Sequence, residues 1–163
     1  MTSAVQQALL KLRNARSKDE GDDYSDELAR AARQSLQEVI DLYYATQDNT
    51  FALVWCVQGL TEGPVVDLFT HAFRHKDQYV RWAAIEGLKY CSDPALIPVF
   101  VAALKDRSHL VKAVAVEWFK SHGDASAIGA LERLLTLPSL IKTSPGLVQQ
   151  AGEALRALRS GRS

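Results

Sequence analysis

One 28-residue pattern occurs twice, as DQYVRWAAIEGLKYCSDPALIPVFVAAL at residues 77–104 and as SHLVKAVAVEWFKSHGDASAIGALERLL at residues 108–135. A shift of 31 residues, from Val80 to Val111, superposes the two stretches. The same shift aligns two helix-length segments and the turn between them, so the agreement indicates an internal repeat rather than chance.

Each half of the repeat has the apolar spacing of an amphipathic helix. Across 80–88 the apolar residues fall at i, i+3, i+4, i+7 and i+8, and a similar stripe crosses 97–104. The small members of the first stripe, Ala83, Ala84 and Gly87, predict that a neighbouring helix approaches closely. Asp93 followed by Pro94 is a helix start, and Asp124 opens the equivalent helix of the next copy. The repeating unit is therefore predicted to be helix, short turn, helix.

Less regular copies flank this pair. Upstream, the stretch 52–60 places Ala52, Trp55, Cys56, Gly59 and Leu60 on the same stripe, so that Gly59-Leu60 corresponds to Gly87-Leu88. A Gly63-Pro64 helix start follows. Downstream, an inserted loop at 137–146 interrupts the period before Ser144-Pro145 opens a last helix. We therefore predict repeats over 48–163, with units at 48–76, 77–107 and 108–137 and a terminal helix at 145–159.

The N-terminal region, 1–47, does not carry the repeat. Its pattern predicts a first helix, Ala4 to Arg16, and a long helix capped by Ser25 and reaching Tyr43. The acidic stretch 17–27 between them is predicted to be an exposed hinge. Stacked repeats leave an open apolar end, which these helices would cover, so we expect one compact domain overall.

Bulk composition argues against several classes of protein. Lysine plus arginine equals aspartate plus glutamate at 19 each, so no global charge favours nucleic acid or an anionic membrane. The two cysteines form no CxxC pair and no disulfide framework, as expected of reduced thiols in a cytoplasmic protein. Neither a signal sequence nor a membrane-spanning apolar run is present in the sequence.

The segment from Asp77 through the second helix start at Asp93 resembles HEAT repeats, in particular the short bacterial HEAT-like units of bilin lyases. The resemblance implies an all-α fold, a right-handed α-solenoid of helical hairpins used as a binding scaffold. It also implies structural, inter-repeat roles for Asp77 and Arg81, and for Lys112, which occupies the position equivalent to Arg81. Asp93 and Asp124 at the turns receive the same structural interpretation.

In HEAT solenoids the second helix of each hairpin lines the concave face. The resemblance therefore places Asp67, His71, Arg74, Lys105 and Arg133 on that inner face. DNA-repair glycosylases with HEAT-like repeats bind duplex DNA there, but few cations and no interleaved aromatics are present here. Because phosphate binding needs many contacts at physiological salt, a modestly anionic protein surface fits better.

The sequence gives little indication of a metal site or a catalytic site. Asp67, His71 and His75 lie at i, i+4 and i+8, a spacing that spans two helical turns and is too long for three ligands of one metal ion without distortion. No phosphate loop, GxSxG or HExxH motif is present, so we expect no catalysis, no metal and no cofactor.

Trp82 poses a separate question, because it lies opposite the apolar stripe of its helix. The repeat alignment places Trp55 and Trp118 in the core instead. For Trp82, the open interpretations are cover by the N-terminal helices, self-association, a partner hot spot together with neighbouring Tyr79, or simple partial exposure. In the inserted loop, Leu140 and Ile141 could recognise a partner or could be tucked against the last helix.

The leading hypothesis is a small cytoplasmic scaffold or adaptor that binds another protein. It would act as a monomer or a homodimer. One such role is that of a bacterial immunity protein, which neutralises a toxin. A nucleic-acid-binding or DNA-repair protein and a bilin lyase-like protein remain alternatives. The partner-binding candidates are Trp82, Tyr79, Asp67, His71, Arg74, Lys105, Arg133, Leu140 and Ile141.

Overall fold

Helices account for the regular secondary structure of the computed structural model, which describes residues 2–122 and 124–161. This confirms the predicted all-α class. None of the described helices is both long and apolar enough to cross a bilayer. Two 3-10 turns, Pro94–Leu96 and Ala125–Ala127, lead into α7 and α9. In the described part the α-helices are α1 (Ala4–Arg13), α2 (Lys18–Gln34), α3 (Leu36–Ala45), α4 (Thr50–Trp55), α5 (Gly63–Ala72), α6 (Gln78–Leu88), α7 (Ile97–Ala103), α8 (His109–Ser121), α9 (Ile128–Thr136), α10 (Pro138–Thr143) and α11 (Pro145–Arg159).

The chain divides into two compact units, and the expected single domain overall stays a prediction. Unit 1 is Met1–Tyr90 and carries α1 to α6, whereas unit 2 is Cys91–Ser163 and carries α7 to α11. The boundary falls between the two helices of the predicted repeat 77–107. Each unit has buried apolar side chains of its own and is described separately below.

Asp93 and Asp124 begin helical segments where the sequence predicts, and Asp77, for which only an inter-repeat role was expected, caps α6. The Asp77 carboxylate accepts from the N–H of Tyr79 at 2.8 Å. Asp93 and Asp124 each accept, also at 2.8 Å, from the second amide of the 3-10 turn that follows. Such bonds satisfy amides that have no partner inside a first helical turn.

Small residues on the buried face of α6 let α5 approach closely. Ala83 and Ala84 are fully buried, and a Cβ placed on Gly87 would overlap the buried ring of Phe69. The glycine therefore leaves room for an aromatic side chain of the neighbouring helix. This confirms the prediction that the small residues of the stripe mark a close helix–helix contact.

In α4 the predicted stripe is displaced by two residues, although its member Cys56 is buried as expected. Leu53, Val54 and Val57 are fully buried and Thr50 nearly so, whereas Trp55 is 38% exposed. The alignment matched Gly59-Leu60 to Gly87-Leu88, but Gly59 has a φ of 80° and lies in the turn after α4. A glycine needed for a left-handed turn and a glycine needed for packing look identical in sequence.

The acidic stretch 17–27 is helical and not a hinge. Ser17, rather than Ser25, caps α2 by accepting from the N–H of Glu20 at 3.2 Å. Carboxylates in a first helical turn are favoured by the helix dipole, and the Lys11–Glu27 ion pair, 2.7 Å long, joins α1 to α2. The predicted long helix also breaks, at Ser35, so that α2 and α3 are separate helices.

The inserted segment at 137–146 contains a short helix, α10. Leu140 is 1% exposed, which makes it a core side chain of unit 2 and removes it from the surface available to a partner. Ile141, by contrast, is 49% exposed. After α10, the last helix begins at Pro145 with Ser144 at its N-cap position, as the sequence predicts.

Rings form the centre of unit 2. The indole of Trp118 stacks on Phe100 with centroids 4.1 Å apart and on His122 with centroids 4.3 Å apart, with both ring pairs nearly parallel. Trp118 is 3% exposed, so its predicted core position is confirmed. Its indole N–H has no hydrogen-bond partner among the described atoms, so ring contacts hold this side chain.

Both thiols are buried and held in their protonated form. Burial raises the pKa of Cys56 to about 12, although its own backbone hydrogen bond opposes the shift, and its S–H donates to the carbonyl of Leu53 at 3.2 Å. The pKa of Cys91 is raised by burial and then by the nearby Asp93 carboxylate. The thiolate, which is the reactive form, is therefore scarce at both sites.

We expect the native protein to react with a disulfide reagent at about pH 8 at least about a hundredfold more slowly than the unfolded chain. The rate of absorbance change with excess reagent measures this, and the same protein in denaturant is the control. Rapid titration of either thiol in the native protein would contradict the buried placement.

Candidate functional site

Three aromatic side chains of unit 1 stack on one another at the surface, and we call Phe51, Trp55 and Trp82 the aromatic patch. The rings of Trp55 and Trp82 lie 5.2 Å apart, and those of Phe51 and Trp55 lie 5.8 Å apart. All three are close to parallel, with interplanar angles of 12° to 25°. Trp82, the residue opposite its own helix's stripe, therefore packs against rings of α4.

The aromatic patch stays accessible despite this stacking. Phe51 is 39% exposed and Trp55 is 38% exposed, while Trp82 is half-buried. Tyr79, one turn before Trp82 on α6, is 53% exposed. Contiguous exposed apolar side chains are uncommon on a monomer and mark contact surfaces for other molecules.

Helix periodicity explains how the patch forms. Phe51 and Trp55 are four residues apart on the face of α4 opposite buried Leu53 and Val54, so their side chains lie side by side. A hydrogen bond from the Gln58 amide to the carbonyl of Ala83, 2.6 Å long, holds the end of this segment against α6. The rings of α4 thereby meet Trp82.

A second surface feature of unit 1 is a cleft of about 280 Å³, which we call the basic cleft. Two of the predicted candidates, His71 and Arg74, line it. The adjacent segment after α5 contributes His75 and Lys76, and α3 and the segment after it contribute Tyr43 and Gln47. The cleft brings a guanidinium and an ammonium group together, and no carboxylate is among its lining residues.

Hydrogen bonds hold the segment that follows α5 in place. The buried guanidinium of Arg81 donates to the carbonyls of His75 and Lys76 at 3.0 and 2.9 Å. The N–H of Asp77 donates to Nδ1 of His75 at 3.1 Å, while the Asp77 carboxylate caps α6. Arg81 thus has a structural role inside unit 1, whereas its predicted inter-repeat bond stays a prediction.

The opposite wall of the cleft is held by a tyrosine. Burial, and then the neighbouring Tyr44, raise the pKa of Tyr43 to about 12, so its hydroxyl keeps its proton at neutral pH. That hydroxyl lies 2.9 Å from Nδ1 of His71, to which its O–H can donate. The bond joins α3 to α5 and fixes one imidazole at the edge of the cleft.

The other predicted site residues lie elsewhere. Asp67 is exposed on α5 but does not line the cleft. In unit 2, Lys105 and Arg133 are exposed, and Nε of Arg133 donates to the carbonyl of Gly129 at 3.1 Å. Lys112 is 8% exposed, and burial lowers its pKa while the charge of Asp106 partly opposes that shift.

No three histidine, cysteine, aspartate or glutamate side chains within residues 2–122 and 124–161 are grouped to hold a metal ion. The histidines of the predicted row have other contacts. His71 bonds to Tyr43, and His75 accepts from the amide of Asp77. These contacts give the two imidazoles structural partners beside the basic cleft.

Sequence reasoning missed Trp55, which it placed in the core, and His75, which it considered only in the possible metal row. It also missed four residues that it never considered as site residues, namely Phe51, Tyr43, Gln47 and Lys76. Phe51 was detectable, because the true stripe of α4 places it four residues before Trp55 on the outer face. The other three carried no signal. They come from segments far apart in the chain, and only the packing of α3 beside α5 brings them together.

Comparison with known proteins agrees with the repeat. The sequence profile described as HEAT repeats matches residues 66–156, which is more than half of the chain. No curated protein matches the chain significantly. The chain therefore belongs to the HEAT repeat family.

Proposed function

We propose that this protein binds another protein and does so through unit 1, without catalysing a reaction. The observation that carries the proposal is the aromatic patch, whose Phe51 and Trp55 rings are each more than a third exposed. Tryptophan is enriched among the few residues that supply most of the binding free energy at protein interfaces. HEAT repeats in general serve protein binding, which supports the same conclusion.

Two further observations support a binding role without catalysis. Both thiols, the strongest nucleophiles in the chain, are buried with raised pKa values. The basic cleft is built from groups that already have structural hydrogen bonds, including His71 and His75.

Reduced, buried thiols also support a cytoplasmic location. One form of such binding is neutralisation of a bacterial toxin, which a toxin gene beside this one would support.

Affinity purification of the tagged protein under native conditions, followed by mass spectrometry, identifies the partner for a calorimetric titration with purified components. We expect Trp82→Ala to weaken binding at least about tenfold, because truncation removes a ring that stacks on both other rings of the patch. Helicity should be unchanged, since Trp82 is half-buried and lies outside the stripe of α6.

Tyr90→Ala is the matched control, because Tyr90 is 55% exposed, lies two residues beyond the end of α6 and is outside the patch. Equal affinities for wild type and Trp82→Ala would contradict the proposal. So would the absence of any stoichiometric protein partner combined with tight, salt-sensitive binding of duplex DNA.

A further inference from the structure

The basic cleft and the aromatic patch are connected through a second groove, of about 330 Å³. This groove shares Gln47, His75 and Lys76 with the basic cleft, and Phe51 of the aromatic patch lines its other end. A molecule lying along this surface would meet cationic groups first and stacked aromatic rings next. Polar and apolar recognition are therefore adjacent on one face of unit 1.

The volumes indicate what kind of ligand fits. Ligand pockets that enclose a small molecule are typically about 300–1,000 Å³ and bury most of its surface. Both recesses here are at the lower end of that range and are open to solvent. They suit individual side chains of a peptide laid across the surface better than a whole cofactor.

The positive charge of this surface predicts a negatively charged partner. Arg74 is exposed at the basic cleft, and within residues 2–122 and 124–161 no carboxylate forms an ion pair with it. Lys76 lines both recesses, and Asp77, whose carboxylate caps α6, lines the second groove. Arginine donates two parallel hydrogen bonds to a carboxylate, which is a stronger contact than a neutral hydrogen bond.

Preorganisation favours binding at this surface. The bonds of Arg81 to the backbone of residues 75 and 76, and of Tyr43 to His71, hold the cleft walls before any ligand arrives. A site that is already ordered loses less conformational entropy on binding. The backbone of residues 75 and 76 is therefore held in place before a ligand binds.

From this juxtaposition we infer that the partner presents an acidic segment, whose carboxylates bind at Arg74 and Lys76 and whose neighbouring apolar side chain packs on the aromatic patch. The inference rests on the proposed protein-binding function and specifies the chemistry of that partner. A phosphate backbone is less well matched, because nucleic-acid binding at physiological salt uses about 6–10 phosphate contacts and this face offers few cations.

Two fluorescein-labelled peptides of roughly 12 residues test the inference, one alternating glutamate with leucine and one in which lysine replaces each glutamate. Fluorescence anisotropy with the full-length protein at about 50 mM salt measures both affinities. The glutamate peptide should bind at least about tenfold more tightly than the lysine peptide. Raising the salt to about 200 mM should weaken that binding, because it screens exposed charges.

Arg74→Glu should reverse the preference between the two peptides. Arg133→Glu is the matched control, since Arg133 is an exposed helical arginine of unit 2, and it should leave the preference unchanged. Trp82→Ala should weaken the binding of both peptides. Circular dichroism of each variant checks that the fold is intact.

Equal binding of the two peptides, or an acidic preference that survives Arg74→Glu, would overturn the inference. Tighter binding of a labelled DNA duplex than of the acidic peptide would overturn it as well. If a purified protein partner binds through Trp82 while the peptides are not discriminated, the inference fails and the proposed function stands. If Trp82→Ala affects neither partner nor peptide, the proposed function fails.

Discussion

Phe100→Ala is expected to lower the free energy of unfolding by about 3–5 kcal/mol, the range observed for buried phenylalanine truncations. Phe100 is fully buried, lies 4.1 Å from the Trp118 ring and meets Phe119 edge to face. Truncation opens a cavity and removes the stacking partner of an indole whose N–H has no hydrogen bond among the described atoms. Urea unfolding followed by tryptophan fluorescence measures the loss.

Phe51→Ala is the control for this substitution. It removes the same atoms from a ring that is 39% exposed in unit 1, so we expect a loss of about 1 kcal/mol or less. Equal losses for the two variants would mean that Phe100 does not occupy the core of unit 2. A cavity at Phe100 should also shift the emission of Trp118 to longer wavelength, which Phe51→Ala should not do at that site.

Gly87→Ala is expected to destabilise the protein by about 2 kcal/mol, although alanine is the better helix former by about 1 kcal/mol. The added methyl would overlap the ring of Phe69, which is fully buried and has no solvent side to move toward. Overpacking therefore outweighs the gain in backbone entropy. Thermal unfolding followed by far-ultraviolet circular dichroism measures the difference.

Gly21→Ala makes the same substitution inside α2, where a Cβ would meet no atom within 4 Å. Here only helix propensity acts, so stability should rise by about 0.5–1 kcal/mol. The expected result is that Gly87→Ala lowers and Gly21→Ala raises the stability of the protein. If Gly87→Ala also stabilises, the close approach of α5 to α6 is wrong, and partial recovery of Gly87→Ala by Phe69→Leu would support that approach directly.

The helical hairpins were predictable because their signals are local. A stripe at helical spacing indicates α6, and Asp93 and Asp124 mark the 3-10 turns that lead into α7 and α9, the first of which also begins with a proline. None of these signals requires knowledge of the fold. The same reasoning placed Trp118 in a core and Gly87 at a close contact. It also located Ser144 and Pro145 at the start of α11.

Prediction failed where one local pattern serves two structures. Acidic residues in 17–27 fit an exposed hinge and equally fit a helix whose first turn they stabilise, and the tertiary Lys11–Glu27 contact favours the helix. The Gly59-Leu60 pair fits a helix interior and equally fits a left-handed turn. That ambiguity displaced the stripe of α4 and placed Trp55 in the core when it lies on the surface.

The repeat, the helix starts and the identity of the small packing residues follow from the sequence, because each depends on side chains within a few turns of one another. The candidate binding face does not follow from the sequence. The aromatic patch needs α4 to lie on α6, and the basic cleft needs α3 beside α5, so that residues as distant as Tyr43 and Lys76 line the same cleft. Only the tertiary packing of these helices decides such contacts, because helical periodicity specifies which face is apolar and not which helix covers it.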